Sequence, residues 1–100
     1  MEHVLLKNGV SLCGTADSDA VFSHENHGER FFRFPLVVSR LSQQADCLSV
    51  LVTERQLEQL GPLKGRRFTL EGQLRSFNNK SGQGSKLVIS VLARTIQPDR

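Results

Sequence analysis

The chain has 100 residues, 38% apolar and 23% charged, which suits one soluble folded domain and excludes both a disordered chain and two independent cores. No apolar run approaches the roughly 20 residues of a membrane helix, and Met1-Glu2-His3-Val4-Leu5-Leu6 lacks the basic region and long apolar core of a signal peptide, so a cytoplasmic protein with no membrane contact is expected. Net charge is +3, unevenly spread: between Lys64 and Arg94 stand seven basic residues and one acid, Glu71, an excess that suits either a polyanion or a solvated basic face.

The apolar pattern is mostly period two, the mark of half-buried strands. In the first stretch Val10, Leu12 and Gly14 alternate with Ser11, Cys13 and Thr15, until Asp17-Ser18-Asp19 turns the chain. A polar loop is expected from Ser23 to Glu29. From Arg30 to Arg40 two faces separate. Phe32, Phe34, Leu36 and Val38 make the better core face, and Phe31, Arg33, Pro35, Val37 and Ser39 mix aromatic and basic groups on the other. Pro35 has no N–H for a ladder, so an edge or a bulge is expected there. A third, more continuously apolar stretch runs from Cys47 to Val52. Thr53 then suits an N-cap, Glu54 the positive end of a helix dipole, and Leu57 and Leu60 one helix face, before Gly61-Pro62 ends the only helix.

In the fourth stretch Phe68, Leu70, Gly72 and Leu74 face one way; Arg67, Thr69, Glu71, Gln73, Arg75 and Phe77 face the other. Gly72 inside a strand predicts a sharp bend or bulge. The segment from Asn78 to Ser85 reads as a loop, and Lys86 to Ile96 as the fifth strand. Phe22 and Phe68 are expected in the core. Cys13 and Cys47, the only cysteines, read as reduced, partly buried thiols. Five strands with one short helix between the third and fourth is the order of an OB-fold barrel. The expected class is therefore all-β, a single domain over 1–100 with its core at about 8–96. An SH3-like barrel is the alternative.

Several motifs resemble the bacterial single-stranded DNA-binding protein family. Asn8-Gly9-Val10-Ser11-Leu12-Cys13-Gly14 looks like its first strand. Gly28-Glu29 and the stretch to Arg40 resemble its second. Lys64-Gly65 and Phe68-Thr69-Leu70-Glu71-Gly72-Gln73-Leu74-Arg75 resemble the approach to its fourth, with Glu71 to Arg75 the most specific part. The resemblance spans Asn8 to Ile96 and is that of a short, divergent member. This chain has no tryptophan, whereas the family stacks bases on several. The family also carries an acidic C-terminal tip for recruiting enzymes; here the last residues are Pro98-Asp99-Arg100. In that respect the chain is also similar to primosomal replication protein N, a tailless, dimeric relative. The resemblance implies binding of single-stranded DNA in replication, recombination or repair, assembly as a homodimer or homotetramer, and nucleoid association. RNA stays open as a second ligand.

Binding single strands without sequence preference needs cations along a groove and flat groups for stacking. Arg75 and Phe77 share the face opposite Leu70 and Leu74. Phe77 either stacks a base or packs over the barrel end or in an interface. Phe31 and Arg33 share the outer face of the second strand, where such barrels bind ligands; Phe31 either stacks or forms an oligomer contact. Arg30, Arg40, Lys80 and Lys86 are candidate phosphate contacts, or solvated cations. Asn79, with Asn78, either hydrogen-bonds bases or makes the turn. Nothing points to an enzyme, a cofactor or a small-molecule substrate. His24 and His27 lie in the expected loop, without the helical spacing of a zinc pair. The alternative function is a protein-interaction or primosome-type accessory module with weak or no DNA binding.

Overall fold

The computed structural model describes residues 9–39, 44–81 and 84–99, with side chains described for 9–39, 44–75 and 90–99. The elements are β1 (Gly9–Ala16), β2 (Val21–Asn26), β3 (Glu29–Ser39), β4 (Ala45–Thr53), α1 (Glu54–Leu60), β5 (Arg67–Ser81) and β6 (Gly84–Pro98). Around the sheet β1, β5, β6, β4 and β3 are neighbours in turn, and β1 returns to β3. Those five strands close a barrel, and β2 is added on the outside of β3. β4 and β6 run parallel; the other pairs are antiparallel. This is the expected OB-fold, with its short helix between the third and fourth barrel strands. Among the described residues no helix is long and apolar enough to cross a membrane.

The alternation sorts the core as the sequence suggests. Phe34, Leu36, Val50, Val52, Leu63, Phe68, Leu70 and Val91 are fully enclosed, and the rings of Phe34 and Phe68 meet at 6.2 Å. Two glycines let the barrel close. At Gly14 a Cβ would collide with the carbonyl oxygen of Val37 and lie 3.0 Å from Leu36 Cγ, so β1 approaches β3 only because that atom is missing. At Gly72 a Cβ would collide with the carbonyl oxygen of Leu92 and lie 2.9 Å from its carbon. The β5–β6 register shifts between Glu71 and Gly72. The irregularity expected at Gly72 is there, with the extra residue, Arg94, on the facing strand β6, and it adds the coiling that a small barrel needs.

Thr53 caps α1 in a capping box. Its hydroxyl accepts from the Gln56 backbone N–H at 3.1 Å, and the Gln56 side chain accepts from the Thr53 N–H at 2.8 Å. The same Gln56 amide donates to the carbonyl of Ala93 at 3.2 Å, tying the helix to β6 beside the bulge. After the helix the chain is clamped to the end of β1. Ala16 N–H donates to the Arg66 carbonyl, and Gly65 N–H to the Ala16 carbonyl. The Asp19 carboxylate accepts from the backbone N–H of Leu63 at 2.7 Å and of Lys64 at 3.0 Å. Arg66 donates back to the carbonyls of Leu60 and Pro62.

Several expectations are corrected. Much of the polar loop is strand: β2 reaches Asn26, and His27 and Gly28, both at positive φ, make the tight turn into β3. Its polar residues hide it from an apolar-alternation search, because β2 lies outside the barrel. The segment from Asn78 to Ser85 is mostly ladder as well, with Asn78 opposite Leu87 and Ser81 opposite Gly84. Of the edge or bulge expected at Pro35, the edge is found: its pairing with Ser49 is regular, while on the other side of β3 the β2 ladder stops at Arg33 and the β1 ladder begins at Leu36. The Pro35 carbonyl accepts from Asp17 N–H, so its missing donor faces the β1–β2 link, where the ladder with β4 loses nothing. Phe22 is 48% exposed and Leu74 39% exposed, not core. Phe22 lies on the added strand, and Leu74 lies past Gly9–Gln73, the last described β1 pair. Both cysteines are free and exposed.

Gly72→Ala should lower stability by about 1–3 kcal/mol in a denaturant titration, the scale of an overpacked site. Gly9→Ala, whose Cβ would meet nothing nearer than 3.7 Å, should change it little. The hydrogen bonds from Leu63 and then Lys64 hold the Asp19 carboxyl below its ordinary value of 3.8. A depressed folded-state value stabilises the fold above the unfolded one and is lost as pH falls through the folded one. Asp19→Asn should therefore melt below wild type at pH 7, and the gap should narrow as pH falls below 3.8.

Candidate functional site

Strand register decides which candidates meet. Residues directly opposed across a ladder share a face. With Phe34, Leu36, Val50 and Val91 inside, Arg33, Pro35, Ser49 and Ser90 face outward. One outward row runs Pro35–Ser49–Ser90–Arg75 across β3, β4, β6 and β5. Three inter-strand steps separate its ends, roughly 14 Å. The row beside it runs Arg33–Leu51–Leu92–Gln73, and Phe31 stands opposite Thr53 in the next. Phe31, Arg33 and Arg75 therefore share one outer face of the barrel; the alternation by itself indicates only that each points outward from its own strand.

Small serines occupy the middle of the Pro35–Arg75 row, and Ser90 is only 4% exposed. Arg33 and Arg75 are both exposed. Among the described residues neither makes an ion pair. A cleft of about 330 Å³ opens beside Arg33, lined by Asp19, Val21, Pro35, Cys47 and Ser49 among others. A larger one, about 470 Å³, lies over Ser11, Glu71, Gly72 and Arg94 and contains none of the candidates.

Arg30 belongs elsewhere. It alternates with Phe31 and so shares the face of Phe32, where its guanidinium sits 5.1 Å from the Phe22 ring centre and 5.7 Å from that of Phe32. It also reaches Glu54 at 3.6 Å. Its charge is thus engaged by two rings and a carboxylate, on the opposite face from Arg33. Arg40 lies outside the described residues. Phe77, Asn79, Lys80 and Lys86 belong to the β5–β6 ladder, where Phe77 opposes Val88, Asn79 opposes Lys86 and Lys80 opposes Ser85; their side chains lie outside the described residues. The ladder places these backbones along strands that continue past Arg75.

The sequence passed over the β2 contribution. His24 stacks on Phe31, ring centres 4.8 Å apart and planes 7° from parallel. Val21, opposite Arg33, is 53% exposed. The signal was His27-Gly28, since histidine and glycine are among the residues that tolerate the positive φ of a tight hairpin turn. Toward the other end of β5, Asp99 joins β1 to β5. It accepts from the Thr69 hydroxyl at 2.6 Å and the Cys13 thiol at 3.1 Å, and Arg67 Nε lies 3.8 Å away. The Thr69 and then the Cys13 hydrogen bonds hold its carboxyl below the ordinary value. This knot fastens the end of β6 and stands apart from the Arg33–Arg75 face.

No family model matches the chain, and no curated protein does. Among solved structures it is similar to the N-terminal domain of PriB protein from Thermoanaerobacter tencongensis, described as dimeric. The two are 40% identical, the match covers 93% of this chain and 97% of that one, and the TM-score is 0.78.

Proposed function

The chain belongs to the PriB family, and on that footing we propose that it binds single-stranded DNA, without catalysis, as a homodimeric accessory of DNA replication or repair. The observation that carries the reading is the placement of Arg33 and Arg75 on one outer face with Phe31. Both arginines are exposed cations with no ion pair among the described residues. A phosphate backbone laid across β3, β4, β6 and β5 meets a charge at each side, and Phe31 supplies an aromatic ring on the same face. Cations that track phosphates and rings that stack bases are what sequence-tolerant single-strand binding requires.

The resemblance of Glu71 to Arg75 to single-stranded DNA-binding proteins supports the same reading. Lys80 and Lys86, with Asn79 and Phe77, belong to the β5–β6 ladder that continues past Arg75, and they are included in the proposed path. A dimer lengthens a site that one small barrel keeps short, and the similar PriB domain is dimeric. Arg30, held by Phe22, Phe32 and Glu54, is left out of this path.

A fluorescence-anisotropy titration of labelled oligo-dT at several salt concentrations, with duplex as competitor, tests the reading. Wild type should bind, weaken steeply with salt, and resist displacement by duplex. Arg33→Ala and Arg75→Ala should each weaken binding and each reduce the salt slope by about one. Arg94→Ala, an exposed cation beside the other cleft, should leave both unchanged. Absence of binding at low salt would overturn the reading in favour of a protein-interaction module.

A further inference from the structure

The hairpin of β2 and β3 carries a second feature that flat ligands would use. Along β2 the register shifts between Phe22 and His24. Phe22 opposes Phe32, and Ser23 is the extra residue, so His24 and not Ser23 comes to stand opposite Phe31. The bulge sends Phe22 and His24, two residues apart, to opposite faces of the hairpin. A bulge re-aims a side chain at a local cost in pairing, and here it aims an imidazole at a phenyl ring. The rings lie 4.8 Å apart and 7° from parallel. Ser23 Oγ, 3.0 Å from Nδ1, holds the imidazole in place from the side.

The stack has a direction. Phe31 is half-buried on β3, and His24 is exposed on β2. β2 is the terminal strand of the sheet, so among the described residues no further strand follows beyond His24. We propose that His24 is a nucleobase-stacking residue: a base of the bound strand lies on its outer face and extends the Phe31–His24 stack, so the single strand leaves the barrel over the free edge of β2. Two charged groups share this face of the hairpin, Arg33 and Glu29, while Glu25 and Arg30 face the other way. Phosphates are attracted on the Arg33 side and repelled on the Glu29 side. The sugar–phosphate chain therefore passes His24 on the side toward Arg33, in line with the path to Arg75. The ring is already oriented by Phe31 and Ser23, so little side-chain freedom is lost when a base arrives.

This inference rests on the single-strand reading, and one experiment separates the two. Wild type, His24→Ala and His24→Tyr are titrated with oligo-dT carrying a single 2-aminopurine, read by anisotropy and by quenching of that base on stacking. His24→Ala should weaken binding roughly 5- to 150-fold, the span of one lost base–aromatic stack. Its salt slope should stay nearly unchanged, and 2-aminopurine quenching should fall. His24→Tyr, which restores a flat ring, should restore affinity and quenching. Wild-type affinity in His24→Ala, or an equal loss in both variants with quenching intact, would overturn the stacking role and leave single-strand binding standing. Failure of wild type itself to bind would overturn both.

Discussion

The missing Cβ at Gly14 is the constraint from which the rest of the molecule follows. β1 pairs with β3 through only Thr15–Val37 and Ala16–Leu36, and the approach is so close that any side chain at position 14 would collide with the Val37 carbonyl. That short seam turns an open sheet into a barrel. Once it is closed, the inward residues of five strands meet one another. Phe34, Phe68, Leu36 and Leu70 exclude water together, though no single strand could bury them. Gly72 is the counterpart on the opposite wall, where the bulge and the near contact with Leu92 give β5 and β6 their coil. Gln56 serves both the capping box and the Ala93 carbonyl, so the helix is fastened next to this bend.

Closure also decides what remains outside. The strand order brings β5 and β6 beside β4, and so sets Arg75 three strands from Pro35 and next to the row of Arg33. A basic residue late in the chain and another a third of the way along thereby come to border one stretch of surface. β2, excluded from the barrel, hangs on the edge of β3. Its two faces are unequal. One holds Phe22, Phe32 and Arg30 in a cation–π cluster; the other holds the His24–Phe31 stack. The single extra residue at Ser23 makes that division, since without it Phe22 and His24 would share a face.

Local chemistry made much of this legible before the structure. Thr53, Glu54, Leu57, Leu60 and Gly61 marked the helix because capping and helical spacing are short-range rules. Phe34, Leu36, Phe68 and Leu70 marked the core because a strand with one face buried must alternate. Gly72 marked the bulge, and the outward parity of Arg33 and Arg75 was read correctly. What failed had a common cause. β2 and the far part of the β5–β6 ladder carry polar residues, and their pairing is specified by backbone hydrogen bonds and a neighbouring strand, which apolar periodicity does not record. Phe22 looked like core by its type, and Leu74 shares the parity of the buried Phe68 and Leu70. They lie beyond the ring of strands that does the burying.

By itself, then, the sequence determined the class of fold, the inward and outward parity of each barrel strand, the helix and its caps, and the charge of the second half. Those follow from interactions within a few residues. Only the tertiary structure decided that Arg30 joins Phe22 and Glu54 while Arg33 faces the row of Arg75, that Asp19 holds the segment after the helix, and that His24 lies on Phe31. Each of these depends on register between strands distant in the chain or on one bulge. A shift of one residue in register exchanges the two faces of a strand, and a linear sequence carries no direct mark of which register the closed barrel selects.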